Sequence, residues 1–160
     1  MRRFELTESA ETYTVLDGMD NSIHKKHYYR KPQRQTKNSA GYDFYSPVDV
    51  PIKPNEVVHI ATGYKVYMLE DEFLMIAVRS SMGYAGLELI NHIGIIDADY
   101  VDNPINDGEI GFRIRNTSDS VYNIKQGDRI GQGVFLKYGI TDDDEPVNAI
   151  RTGPSGSTGK

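Results

Sequence analysis

From about residue 50 onward the sequence keeps switching between short runs of β-branched and aromatic residues and clusters of turn formers. That alternation restricts the chain to an all-β design. Strand candidates recur at 57–60, 64–68, 73–78, 109–115, 121–124 and 134–138, and turn residues separate them at 53–55, 62–63 and 70–72. Residues 109–115, Glu-Ile-Gly-Phe-Arg-Ile-Arg, alternate as a half-buried strand does. Many short strands at close spacing define a sandwich or a barrel. There is no long stretch of helical period, no internal repeat and no linker dividing the chain.

A chain of 160 residues suits one domain, with a core large enough to stand without cross-links. Cysteine is absent, which closes off a disulfide framework and any thiolate metal site and fits a reducing compartment. Residues 1–6, Met-Arg-Arg-Phe-Glu-Leu, lack an apolar signal core, and no apolar run reaches membrane-spanning length. A soluble cytoplasmic protein without a membrane partner is expected. The net charge of −5 argues against broad nucleic-acid binding, which needs a basic face. It leaves room for a small phosphorylated ligand held by local arginines and a divalent cation. Residues 24–31, His-Lys-Lys-His-Tyr-Tyr-Arg-Lys, are basic with aromatics interleaved. They read as a nucleic-acid patch or, the preferred reading, as a solvated arm or a segment packing on a neighbour.

Candidate chemistry gathers at Gly94-Ile95-Ile96-Asp97-Ala98-Asp99-Tyr100. Residues two apart in an extended chain share a face, so Asp97 and Asp99 are expected to line one side of a cleft with Ile96 turned into the core. The preceding Leu89-Ile90-Asn91-His92-Ile93-Gly94 reads as a hairpin approach closed by glycine. A carboxylate there suits a general base, although acidic pairs beside turns also occur as solvated loop residues. Ser39-Ala40-Gly41-Tyr42-Asp43 places small residues before an acid among aromatics, a pattern for close backbone approach or for a turn. In Arg79-Ser80-Ser81-Met82-Gly83 an arginine fork, two hydroxyls and a glycine suit phosphate oxygens, and equally suit a surface turn. Gly127-Asp128-Arg129-Ile130-Gly131-Gln132-Gly133 reads as a turn entering a strand, with close backbone approach at its glycines. The end of the chain, Arg151-Thr152-Gly153-Pro154-Ser155-Gly156-Ser157-Thr158-Gly159-Lys160, cannot build a core. It reads as a flexible tail or a lid over phosphates. It is not a Walker A loop, which needs a preceding strand, a following helix and a different spacing.

Taken together, the segments Ala40-Gly41-Tyr42-Asp43, Arg79-Ser80-Ser81, 94–100, 127–132 and 151–159 resemble the five ordered motifs of the trimeric dUTPase family. The resemblance runs from about residue 34 to the C-terminus, and residues 101–107 resemble an insertion found after this tyrosine in some bacterial and phage members. It implies a jelly-roll-like β-sandwich or barrel at 1–150, with 1–38 as an arm and first strand, and a flexible lid tail at 151–160. It implies a homotrimer whose active sites are shared. Motifs one, two and four come from one subunit, the third from another and the tail from the last. The implied reaction converts dUTP and water to dUMP and pyrophosphate with Mg²⁺.

Residue roles follow from the same resemblance. Asp97 takes the place of the general base, and Asp43 of the acid that holds Mg²⁺ through its waters. Arg79, Ser80 and Ser81 bind phosphates, and Gln132 holds phosphate or the catalytic water. Asn91 and the backbone through Ile95 and Ile96 read the uracil edge, and Gly111 is counted among the substrate-binding positions. Tyr100 packs on the deoxyribose, Asp99 is a structural acceptor, and Arg151, Gly156 and Ser157 close over the phosphates. The tail departs from the family pattern: Pro154 stands where a glycine is usual, and Ser155 where a phenylalanine caps the base. A lid that closes less tightly is expected. Two other readings compete with this one. One is a dCTP deaminase of the same fold, for which the motif carrying the glutamate is missing. The other is a β-trimer that mainly binds a protein partner.

Overall fold

The computed structural model describes residues 1–11 and 28–145. Its strands are β1 (Arg3–Leu6), β2 (Tyr42–Tyr45), β3 (Val50–Ile52), β4 (Val57–Ala61), β5 (Tyr64–Tyr67) and β6 (Glu72–Val78). After a one-turn helix α1 (Ser80–Tyr84) come β7 (Leu87–Leu89), β8 (Gly94–Asp97), a 3₁₀ turn (Ala98–Tyr100), β9 (Gly111–Asn116), β10 (Tyr122–Ile124) and β11 (Arg129–Lys137). Residues 8–11 are also helical. A four-stranded sheet runs β2-β11-β6-β8, a three-stranded sheet β4-β9-β7, and two ladders pair β1 with β5 and β3 with β10. All pairings are antiparallel, mostly between strands distant in sequence. The fold is the all-β, jelly-roll-like one expected. No described helix is long and apolar enough to cross a membrane.

The core follows from period-two patterning. In β9, Phe112, Ile114 and Asn116 are buried while Arg113 and Arg115 are exposed. Phe112 meets Phe44 of β2 at 5.4 Å between ring centres, which ties the two larger sheets together. Burying one such ring contributes about 1.5–3 kcal/mol. The contact needs Gly131, because a Cβ there would stand 2.0 Å from the Phe112 ring. Asn116 is fully buried yet satisfied: its Nδ2 donates to the carbonyls of Ile52 (2.9 Å) and Ser120 (2.8 Å), and its Oδ1 accepts from Ser118 N (2.9 Å). Such bonding keeps a buried amide from destabilising the core.

Three local expectations need correction. β7 and β8 do not form a hairpin. β7 pairs with β9 and β8 with β6, so residues 90–93 carry the chain from one sheet to the other. Within that passage His92 adopts φ 61° and its N–H bonds Leu89 O at 2.9 Å. The segment 127–133 is a turn entering a strand as expected, but the strand starts at Arg129, five residues before the candidate at 134–138, because Gly131 and Gln132 pair with both β2 and β6. The described part of the basic run is not a free arm. The Tyr29 ring fills the space over Gly63, where a Cβ would come within 2.3 Å of it, and Pro32 is buried. Residues 24–27 lie outside the described residues.

Candidate active site

Register sets one group of the expected residues side by side. Gln132 on β11 stands opposite Asp43 of β2 on one flank and Ala77 of β6 on the other. Gly41 gives that side chain room, since a Cβ there would sit 2.5 Å from Gln132 Oε1. β6 ends at Val78 and hands over to Arg79, which directly precedes α1 with Ser80 and Ser81 in its first turn. The first N–H groups of a helix have no intrahelical acceptor, so backbone and hydroxyl donors coincide there.

Asp43 is 8 % exposed and lies between two guanidinium groups. Arg129 Nη1 donates to its Oδ2 at 3.2 Å, and Arg79 Nε stands 3.9 Å from its Oδ1. Both arginines line a basic cavity of about 470 Å³ with Ser81, Tyr45 and Arg30. The Arg30 guanidinium stacks 4.2 Å from the centre of the Tyr45 ring, whose hydroxyl accepts from Gln35 Nε2 at 3.0 Å. Three arginines around one cavity make a site for an anion with several oxygens. Arg129 and Arg30 had no assigned role in the sequence reading. Arg129 sits inside a recognised motif, but Arg30 gave no signal beyond belonging to a basic run.

A second group meets elsewhere. Asn91, Gly94, Ile95, Ile96, Tyr100 and Gly111, all named from sequence, line one cavity of about 600 Å³. Gly94 and Gly111 keep it open: a Cβ on the first would meet Ile76 at 2.5 Å, and on the second the His59 ring at 2.4 Å. β8 is the edge strand of its sheet, and β7, across the cavity, is the edge of the other. An open strand edge presents backbone donors and acceptors in a row, the arrangement a flat ring with an imide edge can pair with. His59, Asn106, Glu109 and Arg113 also line this cavity and had no assigned role in the sequence reading. Burial pushes the Glu109 carboxyl above its ordinary range, against the Gly63 N–H it accepts at 2.9 Å and the nearby His59.

Asp97 closes β8 opposite Phe73, and Asp99 follows in the 3₁₀ turn. The extended backbone therefore ends at Asp97. The two carboxylates still share a cleft of about 530 Å³ with Met68, Glu70 and Tyr138, and Ile96 is buried as expected. Within one chain, Asp97 and Gln132 are not neighbours. They stand opposite Phe73 and Ala77 of β6, four residues apart, or about 13 Å at 3.3 Å per residue. Arg151, Gly156 and Ser157, with Pro154 and Ser155, lie outside the described residues.

This is an antiparallel jelly-roll β-protein with a basic pocket suited to an anion and an edge-strand pocket suited to a flat ring. The particular family follows from comparison: the dUTPase family profile matches residues 27–159, and the chain belongs to that family. The deoxyuridine 5'-triphosphate nucleotidohydrolase of Lactococcus lactis is 43% identical over 130 residues, covering 80% of this chain and 87% of that protein. The one from Nautilia profundicola is 35% identical, covering 81% and 90%. A crystal structure of dUTPase from Streptococcus mutans superposes with TM-score 0.71 at 33% identity, over 87% of this chain and 98% of that one.

Proposed function

We propose that this chain hydrolyses dUTP to dUMP and pyrophosphate at sites shared within a homotrimer. Each site joins the basic pocket of one subunit to the ring pocket and Asp97 of a second, and residues 151–160 of a third close over the phosphates. The observation that carries this reading is the separation of Asp97 from Gln132 along β6. One chain holds both halves of a site but does not join them.

In this reading the uracil edge pairs with the open backbone edge of β8 and with Asn91, and Gly111 leaves space for the ring. A pocket fitted to uracil excludes the thymine methyl by size and cytosine by mismatched donors. Tyr100 lies against the deoxyribose where a ribose 2′-hydroxyl must go. Asp97 accepts the proton of a water whose oxygen bonds to the α-phosphorus while the bond from that phosphorus to the pyrophosphate oxygen breaks. Arg79, Ser80, Ser81 and Gln132 hold the phosphate oxygens, with Arg151, Gly156 and Ser157 of the tail, as charge moves onto the leaving group.

Mg²⁺ fits this donor set in one way only. Among the described residues no group of three or more histidines, aspartates or glutamates is arranged to hold a metal ion. Asp43 is a single carboxylate already flanked by Arg79 and Arg129. That suits an ion that arrives with the triphosphate and keeps its waters, since Mg²⁺ dehydrates reluctantly. When bound it would neutralise phosphate charge, and Asp43 would be the residue that holds it through water.

The test is pyrophosphate release from dUTP, dCTP, dTTP and UTP compared side by side with Mg²⁺. Release confined to dUTP is expected. Ammonia release from dCTP, or equal rates on all four nucleotides, overturns the assignment.

A further inference from the structure

We propose that Asn106 is a positioning residue: it fixes the Tyr100 ring, so the loop after that tyrosine sets how sharply the site rejects a ribose. The proposal rests on the reading of Tyr100 given above and adds the device that holds it.

Tyr100 is 5 % exposed, and its hydroxyl is engaged on both sides. Asn106 Nδ2 donates to it at 2.8 Å, and it donates to the Glu109 carbonyl at 3.3 Å. The orientation of the Asn106 amide is itself determined. Its Oδ1 accepts from Asn103 Nδ2 at 2.7 Å and from Gly108 N at 3.3 Å, which leaves Nδ2 to face the phenol. Asn103, 4 % exposed, is fixed in turn. Its Oδ1 accepts the N–H groups of Ile105 (3.1 Å) and Asn106 (3.2 Å), and its Nδ2 donates to the Tyr100 carbonyl at 2.9 Å. The loop thus turns back onto the residue it follows. Gly108 makes the return possible with φ 76°, and a Cβ there would collide with Tyr100 O at 2.7 Å.

The loop is anchored from outside the pocket. Lys65, 8 % exposed, donates to Asp102 Oδ1 at 2.5 Å and Asp107 Oδ1 at 2.8 Å. Tyr67 donates to Asp102 Oδ2 at 2.8 Å, and the backbone N–H of Glu8 to Asp107 Oδ2 at 2.9 Å. Both ends of the loop are therefore tied to β5 and the N-terminal segment. Asn106 and Tyr100 line the same cavity, so a shift in this bond moves a wall of the pocket. Discrimination by a steric clash depends on the clashing group staying in place.

The experiment is a double-mutant cycle read on selectivity. The ratio of kcat/KM for dUTP to that for UTP is measured in the parent, Asn106→Ala, Tyr100→Phe and the pair. Asn106→Asp serves as a variant that can still engage the phenol, Tyr100→Ala as a ring deletion, and thermal melts accompany each protein. Asn106→Ala is expected to lower the ratio about tenfold, the worth of one ordinary hydrogen bond. Tyr100→Phe, which keeps the ring and loses the hydroxyl, should give a similar fall. The pair should be no worse than either single change, and Asn106→Asp should retain most of the selectivity. A purely structural role for Asn106 would lower the melting temperature and both substrates' kcat/KM together, leaving the ratio unchanged; that result overturns the proposal. Additive losses in the pair overturn it as well. A ratio unmoved by Tyr100→Ala removes the sugar-reading role itself and takes the proposal with it, whereas a ratio that falls only in Tyr100→Ala removes Asn106 alone.

Discussion

Single residues carry the sharpest expectations. Asp97→Asn should lower turnover by on the order of 10² to 10⁴ while dUTP still binds, because the change removes a base and keeps the shape. Single-turnover rates within tenfold of the parent exclude Asp97 as the base. Lys65 gives a pH signature. Burial pushes its ammonium down, and the hydrogen bonds to Asp102 and Asp107 outweigh that, leaving it well above the usual lysine range. Asp102 is pushed up by burial and brought below its usual value by Lys65 and Tyr67, with Arg3 adding a smaller pull. The lysine's contribution is present below its unfolded pKa of about 10.4 and fades as pH rises through the folded value. The aspartate's is present above about 3.9 and fades as pH falls through its folded value. Lys65→Met should therefore reduce the melting temperature most between about pH 5 and 9, with the gap to the parent narrowing in stronger acid and base. A gap independent of pH would show that the lysine acts through packing alone.

The secondary-structure elements show what local pattern reveals and what it leaves out. The sequence brought together Asn91, Ile95, Ile96 and Tyr100 of one cavity lining because they belong to one short segment, 89–100, with Gly111 soon after. His59, Asn106, Glu109 and Arg113 reach the same cavity from elsewhere in the chain and gave no such signal. The strands were legible where polar and apolar residues alternate, as in β9. The start of β11 was not. Residues 127–133 read locally as a turn entering a strand with no mark of where the strand starts, and the long-range pairing of Gly131 and Gln132 with β2 and β6 sets that point at Arg129. Nor was the separation of β7 from β8 legible, since a turn between two strands looks the same whether they pair with each other or join different sheets. Arg129 beside Asp43 is likewise a product of the β2–β11 register. Gly131→Ala should be severely destabilising, on the order of 1–3 kcal/mol or more, because the added carbon lands on a buried ring. Pairing it with Phe112→Leu should recover part of the loss in a denaturant titration, and no recovery would mean that the clash lies with the backbone instead.

At the scale of the whole molecule the shared site makes a quantitative claim. The protein should scatter light as a species of three times its 18.0 kDa chain mass. Asp97→Asn and Arg79→Ala should each be nearly inactive alone. Co-refolded in equal amounts, they should regain about a quarter of parental activity, because about one site in four then draws Asp97 from one chain type and Arg79 from the other. Mixtures no more active than their components would place both groups of a working site on a single chain.

The open edge of β8 has a further consequence. It stands beside the exposed side chains of Ile93 and Ile95, 47% and 46% accessible. An open strand edge is a template on which another chain can grow a sheet. In the proposed reading the nucleotide is therefore both reactant and stopper. Concentrated protein should keep longer in storage with dUMP present than without it, and the protection should vanish when the uracil edge is blocked by methylation.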